Sequence, residues 1–217
     1  MNKMNNKNLT IKETFDSAVQ NHQKNLFKIA ENLYKEILKI NPNHFGSIFY
    51  LGTLLVQTQR LELAKSLLYK ATQINPNYAA AHNNLGATLK ELGEYQNAIN
   101  CCQKAIKINP NYADAHYNLG LVFKELGEFK KAISCFKKAI QIRPSYIIAH
   151  QNLMEVYEKT NQERELKSAI SNAQTLIKGN PIIKLYKGIM LNNNEKFIEA
   201  KNYLELISFG ADEINKE

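Results

Sequence analysis

Four prolines, Pro42, Pro76, Pro110 and Pro144, stand 34 residues apart, and this period constrains the chain more than any other feature. Other residues keep the same step: Gly52, Gly86 and Gly120; Ala30, Ala64, Ala98 and Ala132; His82, His116 and His150. Several residue types sharing one period mark an internal repeat. A period of about 20–50 residues means stacked supersecondary units, none of which can bury its apolar face alone.

Each unit reads as two helices. In AAAHNNLGATLKEL, the residues Ala81, Leu85, Ala87, Leu89 and Leu92 recur at helical spacing. Gly93 offers a left-handed stop, having no Cβ to clash there. A second helix begins near Glu94 and carries Tyr95, Ala98, Ile99, Cys102, Ala105 and Ile106. Asn109 and Pro110 end it, since proline cannot continue a helix and biases the residue before it away from the α region. Gly52, Gly86 and Gly120 fall inside helices, where glycine costs about 1 kcal/mol against alanine. Each lies 12 residues before Ala64, Ala98 or Ala132, so a close contact of the glycine with that alanine is the expected reason. No strand-like segment is evident.

The text resembles the tetratricopeptide repeat family. Residues 79–112 and 113–146 match its pattern nearly position for position. Residues 45–78 fit too, with Gln59 where the inter-helix glycine is usual; residues 11–44 keep Ala18, Ala30, Tyr34 and Pro42. Later units diverge: Leu166 takes the place of the small residue, and Pro181 follows Pro144 by 37 residues. An extended helix around Leu166–Lys178 would absorb that mismatch. The frame recovers in a sixth unit, 181–214, with Gly188, Phe197, Ala200, Tyr203 and Leu204. The resemblance implies an all-α fold: a right-handed α-solenoid of antiparallel helix pairs. A flexible segment over 1–10 precedes a single solenoid of about six repeats, 11–44, 45–78, 79–112, 113–146, 147–180 and 181–214. With no capping helix evident after it, the chain is expected to be the N-terminal part of something longer.

Composition narrows the function classes. The chain has 217 residues, 44% apolar and 22% charged, which suits a core-forming chain. No run of 18 apolar residues offers a membrane span, and the N-terminus has no secretory h-region. Three cysteines, Cys101, Cys102 and Cys135, include no C-x-x-C pair; an odd, unspaced set suits a reducing compartment. A cytoplasmic location is therefore expected. Hydrolase, phosphate-loop and zinc-protease motifs are all missing from the text, so no catalytic residue, metal site or cofactor is expected. His82, His116 and His150 sit on neighbouring parallel helices about 10 Å apart, too far to share an ion. They are expected to fill slots between consecutive repeats instead.

The functional residues are expected on the first helices. Asn84, Asn118 and Asn152 recur at 34-residue spacing, each just before a core leucine. An amide donates and accepts at once, so such a ladder can pair with peptide bonds regardless of sequence. It is similar to the asparagine ladder of protein O-GlcNAc transferases, and the resemblance implies that this position faces a concave groove. Tyr50 and Tyr186 hold the position in other units. Beside it come Phe49, Thr53, Asn83, Tyr117, Leu121, Gln151 and Glu155, of which Asn83, Tyr117 and Gln151 join Tyr50 and the ladder as candidate peptide contacts. Some tetratricopeptide domains clamp C-terminal carboxylates with basic residues; Ala80, Asn84, Asp114 and Asn118 here do not match that clamp.

The net charge of +8 raises the question of nucleic acid. Its lysines concentrate on second helices (Lys65, Lys70, Lys104, Lys107, Lys130, Lys131, Lys137 and Lys138), with only Lys90 and Lys124 near the groove helices' ends. A single-strand groove needs basic residues between its aromatics, so no nucleic-acid partner is expected. The sequence thus points to a non-catalytic scaffold for a protein or peptide ligand. The alternative is the substrate-recruiting region of a larger glycosyltransferase or sulfotransferase, and solenoid ends also favour self-association.

Overall fold

A computed structural model describes residues 2–176, all of whose regular structure is helical. In order these are α1 (Asn2–Gln23), α2 (Phe27–Ile40), α3 (Phe45–Gln57), α4 (Leu61–Ile74), α5 (Ala79–Glu91), α6 (Tyr95–Ile108), α7 (Ala113–Glu125), α8 (Phe129–Ile142), α9 (Ile147–Lys159) and α10 (Glu163–Leu176). Helix α1 starts at Asn2, so the stretch assigned to a lead-in segment over 1–10 is helical from that residue on. The sixth repeat, with Tyr186, lies outside the described residues. So does the end of the extended helix expected to reach Lys178.

The chain divides into two compact units, Met1–Glu128 and Phe129–Glu217. In the first, α1 packs on α2, α3 on α4 and α5 on α6, while α2–α3, α4–α5 and α6–α7 close the seams between repeats. The first helices α1, α3, α5 and α7 also touch in sequence and form a layer of their own. In the second unit α9 packs on both α8 and α10.

The turns show why the period is kept. Among the described residues, all five turns between the two helices of a repeat put one residue in the left-handed region: Asn25, Gln59, Gly93, Gly127 and Asn161, with φ of 58, 58, 76, 71 and 54°. Each is closed by the same pair of hydrogen bonds. At Gly93 the next N–H, of Glu94, reaches Leu89 O (2.8 Å), and Gly93 N–H reaches Lys90 O (3.0 Å). At Gln59 the partners are Arg60 N–H to Leu55 O (2.9 Å) and Gln59 N–H to Val56 O (3.0 Å). This double closure satisfies carbonyls that a helix end would otherwise strand. Gln59 therefore departs from the repeat in sequence and not in conformation. The proline turns are equally uniform: Tyr78 N–H bonds Asn75 O (3.2 Å) and Tyr112 N–H bonds Asn109 O (3.1 Å), each across a proline.

The second helices bury one ladder per register. Ala30, Ala64, Ala98 and Ala132 are wholly buried, as are Tyr34, Leu68, Cys102 and Phe136 one turn on. Divergent α10 keeps Ile170 and Ala173 buried and seats half-buried Leu166 in the alanine's register. The expected glycine contact needs correction. A Cβ on Gly86 would lie 2.7 Å from Cys102 Sγ and 3.3 Å from the carbonyl of Ala98. On Gly52 it would lie 2.9 Å from Leu68 Cγ. The crowding partner is thus the residue one turn past the alanine; the alanine matters because its small side chain lets the two backbones approach.

Candidate peptide-binding face

The first-helix layer of the Met1–Glu128 unit carries two kinds of surface. Its N-terminal part is aromatic. Tyr50 stacks over Tyr34 (centroids 6.3 Å apart, 13° between planes) and meets Phe15 and Phe49 edge-on at 5.8 and 5.3 Å. Phe45 and Phe49 stack at 6.1 Å, and Tyr78 meets both at 5.1 Å. Beneath, buried His22 donates from Nε2 to Gln57 Oε1 (2.7 Å), which leaves Nδ1 to accept from the Tyr34 hydroxyl (3.4 Å). Burial pushes the Tyr34 phenol well above its ordinary range. This hydroxyl stays protonated and donating.

The central part is amide. Asn118 Nδ2 donates to Asn83 Oδ1 (2.9 Å), Asn83 Nδ2 to Asn84 Oδ1 (3.3 Å), and Asn84 Nδ2 to Thr53 Oγ1 (3.2 Å). Thr53 then donates to the Phe49 carbonyl (3.0 Å). One directed chain thus crosses α7, α5 and α3. The expectation treated Asn83 as a groove contact, but at 5% exposure it is the buried link that joins Asn118 to Asn84. Asn84 and Asn118 stay half-buried, as do Tyr50 and Tyr117.

Asn152 and Gln151 belong to the second unit, half-buried on α9, where Asn152 Nδ2 donates to the Ile148 carbonyl (2.9 Å). The structure therefore brings Asn84 and Asn118 together through Asn83. It gives Asn152 a bond within its own helix.

The remaining candidates have structural partners. His82, His116 and His150 each donate from Nε2 to the carbonyl of the preceding repeat's proline, Pro76, Pro110 and Pro144, at 3.0, 3.0 and 2.9 Å. Burial lowers the basicity of His150, while its bond to the Pro144 carbonyl acts the other way. Among the described residues no group of three or more His, Cys, Asp or Glu side chains could hold a metal ion. The three cysteines are free thiols, and burial pushes Cys101 and Cys135 up to about 11. No helix among the described residues is long and apolar enough to cross a membrane. On the second-helix side, a cleft of about 570 Å³ lies between α4 and α6 over His82 and Leu85, and one of about 610 Å³ between α8 and α10 over His150 and Leu153.

Known proteins agree with this architecture. Tetratricopeptide-repeat family models match residues 47–78, 67–100, 88–127 and 113–146. A solved structure described as MamA protein is 32% identical, covers 77% of this chain and 91% of its own, and superposes with a TM-score of 0.67. A thermophilic tetratricopeptide protein of Thermus thermophilus is 20% identical over 84% of this chain and 100% of its own (TM-score 0.66). YrrB, described as a tetratricopeptide protein with an unusual peptide-binding site, is 18% identical over 81% of this chain and 91% of its own (TM-score 0.63). No curated protein sequence matches the chain. The chain belongs to the tetratricopeptide repeat family, and its fold class is the all-α solenoid of antiparallel helix pairs. Such repeats make it a protein-interaction scaffold, and none of the matching family models is catalytic.

Proposed function

We propose that the first-helix face binds an extended peptide, with Asn84 and Asn118 reading its backbone and Tyr50 and Tyr117 flanking them. The observation that carries this reading is the amide chain itself. Each amide nitrogen has two hydrogens and the chain uses one, so Asn84 and Asn118 keep a donor on a half-buried surface. Asn83 and Thr53 hold both amides in place before any ligand arrives, which reduces the ordering cost of binding. A peptide bond presents one donor and one acceptor at regular intervals, the complement of such rungs. The peptide-binding description of YrrB supports the same reading by fold. In this reading the chain holds partners and has no catalytic residues of its own.

Peptides selected from a random-sequence display library against the unmodified chain test this. Asn84→Ala/Asn118→Ala/Asn152→Ala should weaken their affinity by about 1 kcal/mol per lost hydrogen bond, with helicity retained. Calorimetric affinity unchanged in the triple variant would reject the ladder.

A further inference from the structure

The two seams at the N-terminal end carry the same constellation with every charge reversed. At the seam between residues 11–44 (repeat 1) and 45–78 (repeat 2), Glu31 of α2 accepts two hydrogen bonds from Arg60 at the start of α4 (2.9 and 2.7 Å). The same carboxylate is held within its own helix by Lys35 (2.7 Å). At the next seam, between repeat 2 and residues 79–112 (repeat 3), Lys65 of α4 meets Glu94 at the start of α6 (2.9 Å) and is held within its helix by Glu62 (2.8 Å). Positions 31 and 65 are 34 apart, and so are 60 and 94. One seam therefore reads Lys–Glu–Arg and the next Glu–Lys–Glu, with hub and cross-seam residues in one register and the own-helix partner one turn after Glu31 but one turn before Lys65. At the third seam the hub position holds Ile99.

The repeats share their turn geometry and their alanine ladder, so those two features do not discriminate between these seams. Charge does discriminate. Repeat 1 stacked on repeat 3 would set Glu31 against Glu94. Repeat 2 stacked on repeat 2 of another copy would set Lys65 against Arg60. Both are like-charge contacts at part-shielded sites, where repulsion is felt more than in open water. Lys65 against Glu128, repeat 2 on repeat 4, is a misordering that the charges favour, and Leu26 and Gln162 at the same register leave repeats 1 and 5 neutral to both hubs.

We infer that the mirrored triads are an ordering code. They select each N-terminal repeat's correct neighbour and oppose stacking of repeat 1 on repeat 3 and of repeat 2 on repeat 2, including between copies of this chain. Each hub's own-helix partner orients it before stacking, so the code is readable while the array assembles. Between copies, the pairings it refuses are repeat 1 on repeat 3 and repeat 2 on repeat 2.

The test keeps the number of ion pairs and removes only the difference. In Glu31→Lys/Lys35→Glu/Arg60→Glu the first seam reads like the second, so residue 31 can pair with Glu94 and Lys65 with residue 60. Equal amounts of ¹⁴N- and ¹⁵N-labelled full chain are refolded together and treated with an amine-reactive cross-linker. Mixed-isotope peptides joining Lys24, Lys28 or Lys39 to Lys90 or Lys104 are then counted by mass spectrometry. The variant should give about tenfold more of them than the unmodified chain, the factor expected for one contact changed from repulsion to attraction. The excess should shrink in 1 M salt, where screening acts over about 3 Å. Far-UV circular dichroism should stay the same. Glu62→Lys/Lys65→Glu/Glu94→Arg, which rewrites the second seam as the first, should behave alike and serves if the first variant does not fold. Equal mixed-isotope yields from a folded variant and the unmodified chain would overturn the code, since mere surface stabilisation predicts no change.

Discussion

Tyr50 and Asn118 occupy the same register two repeats apart, yet one belongs to a packed aromatic cluster and the other to a hydrogen-bonded amide chain. The comparison separates what the repeat requires from what it leaves open. The second-helix layer keeps its wholly buried alanines because close packing leaves no room for more, and the turns keep one backbone conformation whichever residue fills them. The first-helix face only has to cover its neighbours, so the N-terminal repeats spend it on aromatic area and the central ones on polar chemistry. The aromatic end should behave as core and the amide centre as a site.

The largest expected effect is on the aromatic side. Tyr34 is wholly buried, stacks on Tyr50 and donates to His22. Tyr34→Ala should destabilise by about 3 kcal/mol, in line with other large-to-small aromatic losses. Urea unfolding measures this, and a loss under about 1 kcal/mol would show that the cluster packs loosely. On the amide side Asn83→Leu keeps the branched four-atom side chain and removes two hydrogen bonds between half-buried neighbours. It should cost about 1 kcal/mol of stability while weakening a selected peptide, because Asn84 and Asn118 lose their fixed orientation. A variant that lost stability yet kept full affinity would make Asn83 purely structural.

The seams extend the comparison to acid. Arg60 holds the Glu31 carboxyl down to about 2, from an ordinary 4.5, against the cost of its burial. A carboxyl lowered in the folded state stabilises above its unfolded pKa, and this stability is lost as pH falls through the folded value. The loss should therefore run from about pH 4.5 down to about 2. Arg60→Ala should remove about 1 kcal/mol at neutral pH, a value discounted for the solvent-facing guanidinium, and should flatten that acid limb. Thermal melts across the window check it. An unaltered acid limb would mean that other carboxylates carry it.

Much of this was legible beforehand. The period, the two-helix unit and the alanine ladder follow from residues that repeat, and residues repeat where packing allows few choices. The histidine slots were legible for the same reason. The glycine's partner was misread by one helical turn, because spacing alone does not reveal which atom of the facing turn comes closest. The ladder asparagines were visible as a 34-residue step, but Asn83 was not separable from them. Burial of a polar side chain depends on a neighbour that offers it bonds, here Asn118 from the next repeat. The charge triads are written in the sequence as hubs one period apart, each with its partner 29 residues on. They escape a search for identity because their signs are opposite.

The smallest effect bears on the turns, where the two halves of the comparison share a backbone and differ in residue. Gln59 closes the turn after α3 with φ of 58°, and Gly93 closes the turn after α5 with φ of 76°. A side chain in the left-handed region costs about 1 kcal/mol that glycine avoids. Glycine also gives the unfolded chain more freedom, which takes back part of the gain. Gln59→Gly should therefore stabilise by about 0.5 kcal/mol, read as a small rise in the urea midpoint at constant slope. A lower midpoint would mean that the Gln59 side chain contributes contacts outweighing its backbone strain, and the aromatic repeats would then differ from the amide ones in their turns as well as on their surface.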